Sequence, residues 1–277
     1  MGISSSKQNQ YKLIKNKLKL VFSIALIVNI SFCSAQGKYD EFDELNNANQ
    51  WGLAFEDDCT KVWTKQWALD GLIATVENSK EGMHFKAGPE YKNDAHHAVL
   101  WTKASFSGDI KVEYDYIKTD NEARCVNILY IQATGDADGV YEKDISKWAK
   151  LRETPAMKTY FENMNTFHIS YAAFGNYLNA FHYIRARRYP KPDDKPFKVT
   201  QIEPSYDKQG LFKTGQTYHI TAIKTKTHLF FKMESKDGVE LFDWDISNIA
   251  PIEAGRICLR QMYTRSSIYK NFKIYSK

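Results

Sequence analysis

The stretch FHISYAAFGNYLNAFHYIRARRYP, Phe167 to Pro190, reads as two β-strands around a short turn. Side chains of a strand alternate between two faces, so the second strand carries Tyr183, Arg185 and Arg187 on one face. A core-facing row would be apolar and a solvent-facing row bland. Arginine and tyrosine in one row, beside a strand that presents His168 and Ser170 together, describe a surface built to hold something anionic and ring-shaped.

Outward from this pair, strand-like runs recur at 71–76, 84–87, 97–102, 110–116, 126–133, 218–224, 227–233, 241–245, 257–263 and 272–275. They are rich in β-branched and aromatic residues and end at Gly, Asn, Asp or Pro. Ser107-Gly108-Asp109 and Lys236-Asp237-Gly238 are hairpin-type turn signals. Strands and helices do not alternate, which argues against a parallel α/β sheet. The expectation is an all-β sandwich with one interruption, residues 141–165. There Ile145, Trp148 and Leu151 share a helical stripe behind Asp144 as N-cap, and Thr154-Pro155 starts a second short helix running to about Asn163. This insertion is expected at the rim of the sandwich, and 189–205, with four prolines, as a long ordered loop beside the arginine strand.

The first 35 residues read as a secretory leader. Lys7, Lys12, Lys15, Lys17 and Lys19 precede a thirteen-residue apolar run, Leu20 to Phe32, and Ser34-Ala35 supplies small residues for cleavage before Gln36. Thirteen residues are too few to span a bilayer. A lipoprotein anchored at Cys33 is the competing reading, with large Phe32 against it. Cleavage leaves a single domain, 36–277, that is periplasmic or secreted and has no membrane segment.

The five leader lysines are the excess of 38 basic over 33 acidic residues, so the remaining chain is formally neutral. That removes the net basic footprint a nucleic-acid partner would need. Any attraction for an anion must therefore be local. Cys59, Cys125 and Cys258 remain; three is odd, so at least one thiol is free and this is no disulfide scaffold.

His96 and His97 open the 97–102 strand and would point to opposite faces. A histidine near its ordinary pKa is the simplest general acid or base at neutral pH, although a structural role is the competing reading for each. Arg185, Arg187, Arg188 and Arg260 bring guanidinium forks suited to planar carboxylates, against the alternative of a salt-bridged exposed strand. Asp136, Asp138 and Asp144 offer oxygen ligands of the kind calcium takes, but without a full EF-hand pattern a turn explains them as well. No zinc spacing occurs, and no cofactor is implied. Retaining hydrolysis needs two carboxyl groups about 5 Å apart. The nearest pattern, Glu113-Tyr114-Asp115, is followed by Lys118 where a second glutamate would stand. No GxSxG, phosphate-binding loop, dinucleotide fingerprint or HExxH is present.

The phrases FEDD, HHAVLWTK, HISYAAF, YIRARRYP and GRICLRQMYTRS, spread from Trp51 to Tyr275, resemble the YesU-like family of concanavalin A-like bacterial sandwiches found with polysaccharide-degradation genes. They are also similar to oligosaccharide dehydratases with which marine flavobacteria break down ulvan. The resemblance implies a jelly roll of two antiparallel sheets. It also implies β-elimination on uronic-acid-containing oligosaccharides: a terminal uronic acid loses water to give a 4,5-unsaturated sugar. A polysaccharide lyase and a non-catalytic carbohydrate-binding protein are the alternatives. Such chemistry needs a cation on the uronate carboxylate and groups that move protons. Accordingly His96 or His97, with His168, are candidates for proton transfer and Tyr183 is an alternative acid or base. Arg185, Arg187 and Arg260 are candidates for holding the uronate or a sulfate, and Gln132 and Asn165 for binding hydroxyls.

Overall fold

In the computed structural model, residues 37–175, 181–207 and 210–277 are described; residues 1–36, which include the expected leader, residues 176–180, where the sequence reading places a turn, and residues 208–209 lie outside them. Residues 37–46 form a helix, α1, in a unit distinct from the sandwich that begins at Asn49. Among the described residues no helix is long and apolar enough to cross a membrane.

The sandwich has two antiparallel eight-stranded sheets. In the first, β14 (Gly238–Asp245), β13 (His228–Ser235), β12 (Thr217–Lys224), β7 (Ile110–Lys118), β16 (Ser266–Ser276), β4 (Gly82–Lys86) and β3 (Thr75–Ser79) lie side by side, and β1 (Gly52–Asp57) also pairs with β16. In the second the order is β11 (Gln201–Tyr206), β10 (His182–Tyr189), β9 (Met164–Phe174), β8 (Asn127–Gly135), β15 (Ala254–Gln261), β5 (Ala98–Thr102) and β2 (Trp67–Asp70), with β6 (Phe106–Ser107) on β15. The expected all-β jelly-roll-like sandwich is present.

The two sheets bury different amounts of surface, and the sequence shows why. In β7, IKVEYDYIK, exposure alternates along the second half, as for a strand with one wet face. In β8, NILYIQATG, and β9, MNTFHISYAAF, nearly every residue is buried. The second sheet is therefore covered on both sides. Leu129, Ile131, Phe167, Ile169, Ile184, Ala186 and Leu259 pack between the sheets. On the outer side Trp101, Ile128, Tyr130 and Cys258 pack against Ile145, Trp148 and Tyr160 of the insertion. The insertion thus lies across a sheet face and not at the rim, because Ile145, Trp148 and Tyr160 find a matching apolar patch there; Leu151, expected on the same stripe, is exposed. It comprises a 3-10 segment, Ile145–Arg152, whose N-cap Asp144 accepts from the Ser146 N–H, and α2, Met157–Asn163. Helix α2 begins two residues later than the Pro155 start suggested.

Other departures are local. Residues 71–74 form a turn and strand β3 starts at Thr75. The loop at 189–205 contains a 3-10 turn, Phe197–Thr200, and most of β11, which pairs with β10 despite Pro204. Lys236 and Asp237 do turn a hairpin, closing at Ser235 and Gly238, whereas Gly108 links a strand of one sheet to a strand of the other. Cys59, Cys125 and Cys258 are all buried and unpaired.

Candidate functional site

The outer face of β9 and β10 carries the site. His168 lies opposite Tyr130 on β8 and Arg187 on β10, and Ser170 lies opposite Arg185. His168 Nδ1 is 2.8 Å from the Tyr189 hydroxyl and Nε2 is 2.7 Å from Ser170 Oγ. A neutral imidazole donates on one side and accepts on the other, so the three groups form a relay. Burial, then the charges of Arg187, Arg260 and Arg185, hold the His168 pKa well below its usual value. The ring therefore stays neutral at physiological pH.

Tyr183, Arg185 and Arg187 occupy one row of β10, as alternation predicts. The Arg185 guanidinium lies 4.3 Å from the Tyr183 ring centroid, and that of Arg187 lies 4.3 Å from the Phe197 ring centroid. Arg187 donates to Thr200 Oγ1 at 3.0 Å. Among the described residues, the carboxylate nearest this row is Asp207, 4.0 Å from Arg185. Tyr183 and Arg185 are half-buried and face outward at the edge of the cluster. Burial raises the Tyr183 pKa, so its hydroxyl is a proton donor at neutral pH.

Behind this row lies a second group. Arg260 NH2 donates to the Pro155 carbonyl at 2.5 Å and reaches His97 Nδ1 at 2.6 Å, and the same Nδ1 lies 3.2 Å from the Pro155 carbonyl. The Arg260 guanidinium stacks over the Tyr160 ring at 4.5 Å. Burial and then Arg260 push the His97 pKa down to about 2. One carboxylate ties the insertion above it: Asp70 Oδ2 accepts from Trp101 Nε1 at 2.6 Å, Arg152 Nε at 2.6 Å and Tyr160 OH at 2.9 Å.

The structure thus brings together His168, Tyr183, Arg185 and Arg187, with His97 and Arg260 just behind them. The other three candidates lie elsewhere. His96 is not in a strand but in a 3-10 turn, Asp94–His96, capped by Asn93; its Nδ1 accepts from the Glu90 N–H and its Nε2 is 3.2 Å from the Glu90 carboxylate. Gln132 sits at a bulge in β8, and its amide donates to the carbonyls of Phe106, Gly108 and Glu253. Asn165 accepts from Arg188 NH2 at 2.5 Å and lines a separate groove of about 600 Å³ with Lys143, Asp144, Glu253 and Arg256. Asp136 accepts from the Asp138 N–H, and Asp144 is engaged by Ser146 and Arg256. Among the described residues no three His, Cys, Asp or Glu side chains cluster as metal ligands. Tyr130, Tyr160 and Asp70 were missed by sequence reasoning, whereas Ser170 was placed on the His168 face by its two-residue spacing but given no role.

The fold defines a lectin-like two-sheet sandwich. It is similar to a protein of unknown function with a galectin-like fold from Bacillus subtilis (TM-score 0.62, 18% identity, 82% of this chain and 98% of that one). Lectin II from Ulex europaeus superposes with a TM-score of 0.52 at 9% identity over 80% of this chain and 98% of its own. Basic winged bean lectin with Tn-antigen also gives 0.52, at 6% identity over 80% and 96%. No curated protein matches in sequence. The family described as "Domain of unknown function (DUF1961)" matches residues 59–274, and the chain belongs to that family.

Proposed function

We propose that this protein acts on anionic, uronic-acid-containing oligosaccharides at the outer face of β9 and β10, by β-elimination. The observation that carries the reading is the row of Arg185 and Arg187, with no carboxylate among the described residues nearer than Asp207, beside a neutral His168 hydrogen-bonded on both ring nitrogens. A uronate carboxylate seated on the two guanidinium forks would gain charge-assisted hydrogen bonds. The same contacts stabilise the negative charge that spreads onto it when the C5 proton leaves. His168, relayed through Ser170 or Tyr189, accepts that proton; the C4–O bond breaks, a C4=C5 double bond forms, and the departing oxygen takes a proton from the Tyr183 hydroxyl. At a chain end the leaving group is water, giving the dehydratase reaction; inside a chain it is a sugar hydroxyl, giving a lyase. A secretory leader at 1–35 would place this activity outside the cytoplasm.

The test is incubation with uronic-acid-ended ulvan or pectin oligosaccharides, followed by mass spectrometry and ultraviolet absorbance of the new double bond. Loss of one water per molecule is the expected result. Arg187→Ala should lower kcat/KM about 10–100-fold, the worth of a charged hydrogen bond. His168→Ala should abolish turnover while leaving binding. Full turnover in both variants would overturn the assignment.

One observation favours a second reading, non-catalytic carbohydrate binding like that of the winged bean lectin described with Tn-antigen. His168 is only 2% exposed and His97 1%, whereas Tyr183 and Arg185 are reachable. Oligosaccharide that binds in an Arg185-dependent way and emerges chemically unchanged selects this reading.

A further inference from the structure

Three arginines are among the largest fully buried side chains: Arg152, Arg260 and Arg265. Arg152 has the Asp70 carboxylate at 2.6 Å and Arg265 has that of Asp120 at 3.1 Å. Arg260, at 0% exposure, has none among the described residues; only NH2 is engaged, while Nε and NH1 have no partner. An isolated buried charge is among the most unfavourable arrangements in a protein, and a guanidinium cannot escape by losing its proton. Neighbouring groups do not relieve it. Asp70 is committed to Arg152, Trp101 and Tyr160, and His97 is neutral. Tyr130, also at 0% exposure, has its hydroxyl beside the Arg260 guanidinium, whose charge and hydrogen-bonding reach act on it, and it has no well-formed hydrogen bond to any other described residue. His97 Nε2 is likewise unpartnered. Arg260 Nε and NH1 can only donate and the Tyr130 hydroxyl can donate as well, so one acceptor with negative charge would meet all three.

We infer that Arg260 and Tyr130 form an internal binding site for a small free monovalent anion of halide size, enclosed beneath Pro155 and Tyr160. The site does not depend on the elimination reading: it lies behind the Tyr183–Arg185–Arg187 row. The tyrosine and guanidinium donors fit a spherical ion or a single oxygen, and the Tyr160 ring stacks on one face of the guanidinium, 4.5 Å away.

The experiment is thermal unfolding of the full chain in sodium gluconate, titrated with chloride and with bromide at constant ionic strength. A saturable rise of about 5 °C or more is expected at halide concentrations far above the dissociation constant. Bromide-soaked crystals should show an anomalous peak in contact with Arg260 NH1 and Tyr130 OH. Arg260→Met should abolish the halide response. Because that variant risks not folding, Tyr130→Phe, which removes one hydroxyl and keeps the ring, should weaken halide affinity at least tenfold. Absence of a halide effect in the wild type overturns the inference, as does a bromide peak elsewhere or an unchanged Tyr130→Phe titration. Stabilisation by glucuronate but not halide, lost in Tyr130→Phe, also overturns it, because the ligand would then be the sugar's own carboxylate.

Discussion

Asp70 gathers three buried donors onto one oxygen, from Trp101 on the neighbouring strand and from Arg152 and Tyr160 in the insertion. Asp70→Asn removes the charge and leaves Arg152, 2% exposed, without a counter-ion. Breaking a buried pair from one side costs about 3–5 kcal/mol. We expect that loss in urea unfolding, and Asp70→Asn with Arg152→Gln should lose less than the two single changes added together, since the second removes the stranded charge. None of this was legible in sequence, because the partners lie 82 and 90 residues away. The Tyr183–Arg185–Arg187 row was legible, since period-two alternation is a local property that tertiary packing did not override. His96 was misread for an equally local reason. Asn93 Oδ1 accepts from the Ala95 N–H, and that cap competes with an extended strand start.

At the scale of elements, the bulge at Gln132 does what alternation alone does not predict. Its φ of 53° shifts the register of β8 against both neighbours and sends the Gln132 amide to the Phe106–Gly108 corner instead of the site face. Gly255 on β15 permits this, since a Cβ there would lie 2.2 Å from the Gln132 carbonyl carbon and oxygen. These are backbone atoms in the middle of a sheet and cannot step aside. Gly255→Ala should therefore destabilise the protein by about 1–3 kcal/mol, read as a lower urea midpoint with unchanged slope. Strand β11 escaped the sequence reading because Pro204 lacks an N–H and so demotes the run, yet an edge strand tolerates it. The insertion's first helical segment was legible from its Asp144 cap and from Ile145 and Trp148. The third member of the expected stripe, Leu151, is exposed and Arg152 is buried in its place, because the segment is 3-10 and breaks at Trp148. The insertion's docking place was not legible, because the apolar outer patch of the second sheet exists only once β5, β8 and β15 are paired.

For the whole molecule, covering the second sheet on both faces has a consequence for stability against pH. His97 and His168 are held neutral inside, with folded pKa values far below the ordinary 6.5 that they regain on unfolding. Between those values the unfolded chain binds more protons than the folded one, so stability is full above about pH 6.5 and falls as pH falls. Each histidine contributes up to about 1.4 kcal/mol per pH unit in that window, so the pair should remove roughly 2 kcal/mol between pH 6 and pH 5. His219 acts in the opposite sense. Its hydrogen bond to Asp115 raises its pKa, stabilising the fold at low pH and losing that contribution as pH rises, but it is half exposed and solvent screens the pair. The lowered carboxylates, such as Asp120, titrate below their ordinary 3.8 and leave this window untouched. Thermal unfolding at pH 7, 6 and 5 should therefore show a midpoint dropping by about 4–8 °C over the last step. His97→Gln and His168→Gln should each remove about half of the slope while lowering the neutral-pH midpoint. A profile flat from pH 7 to 5 would mean that water reaches both imidazoles, and that the outer face opens far more readily than its packing indicates.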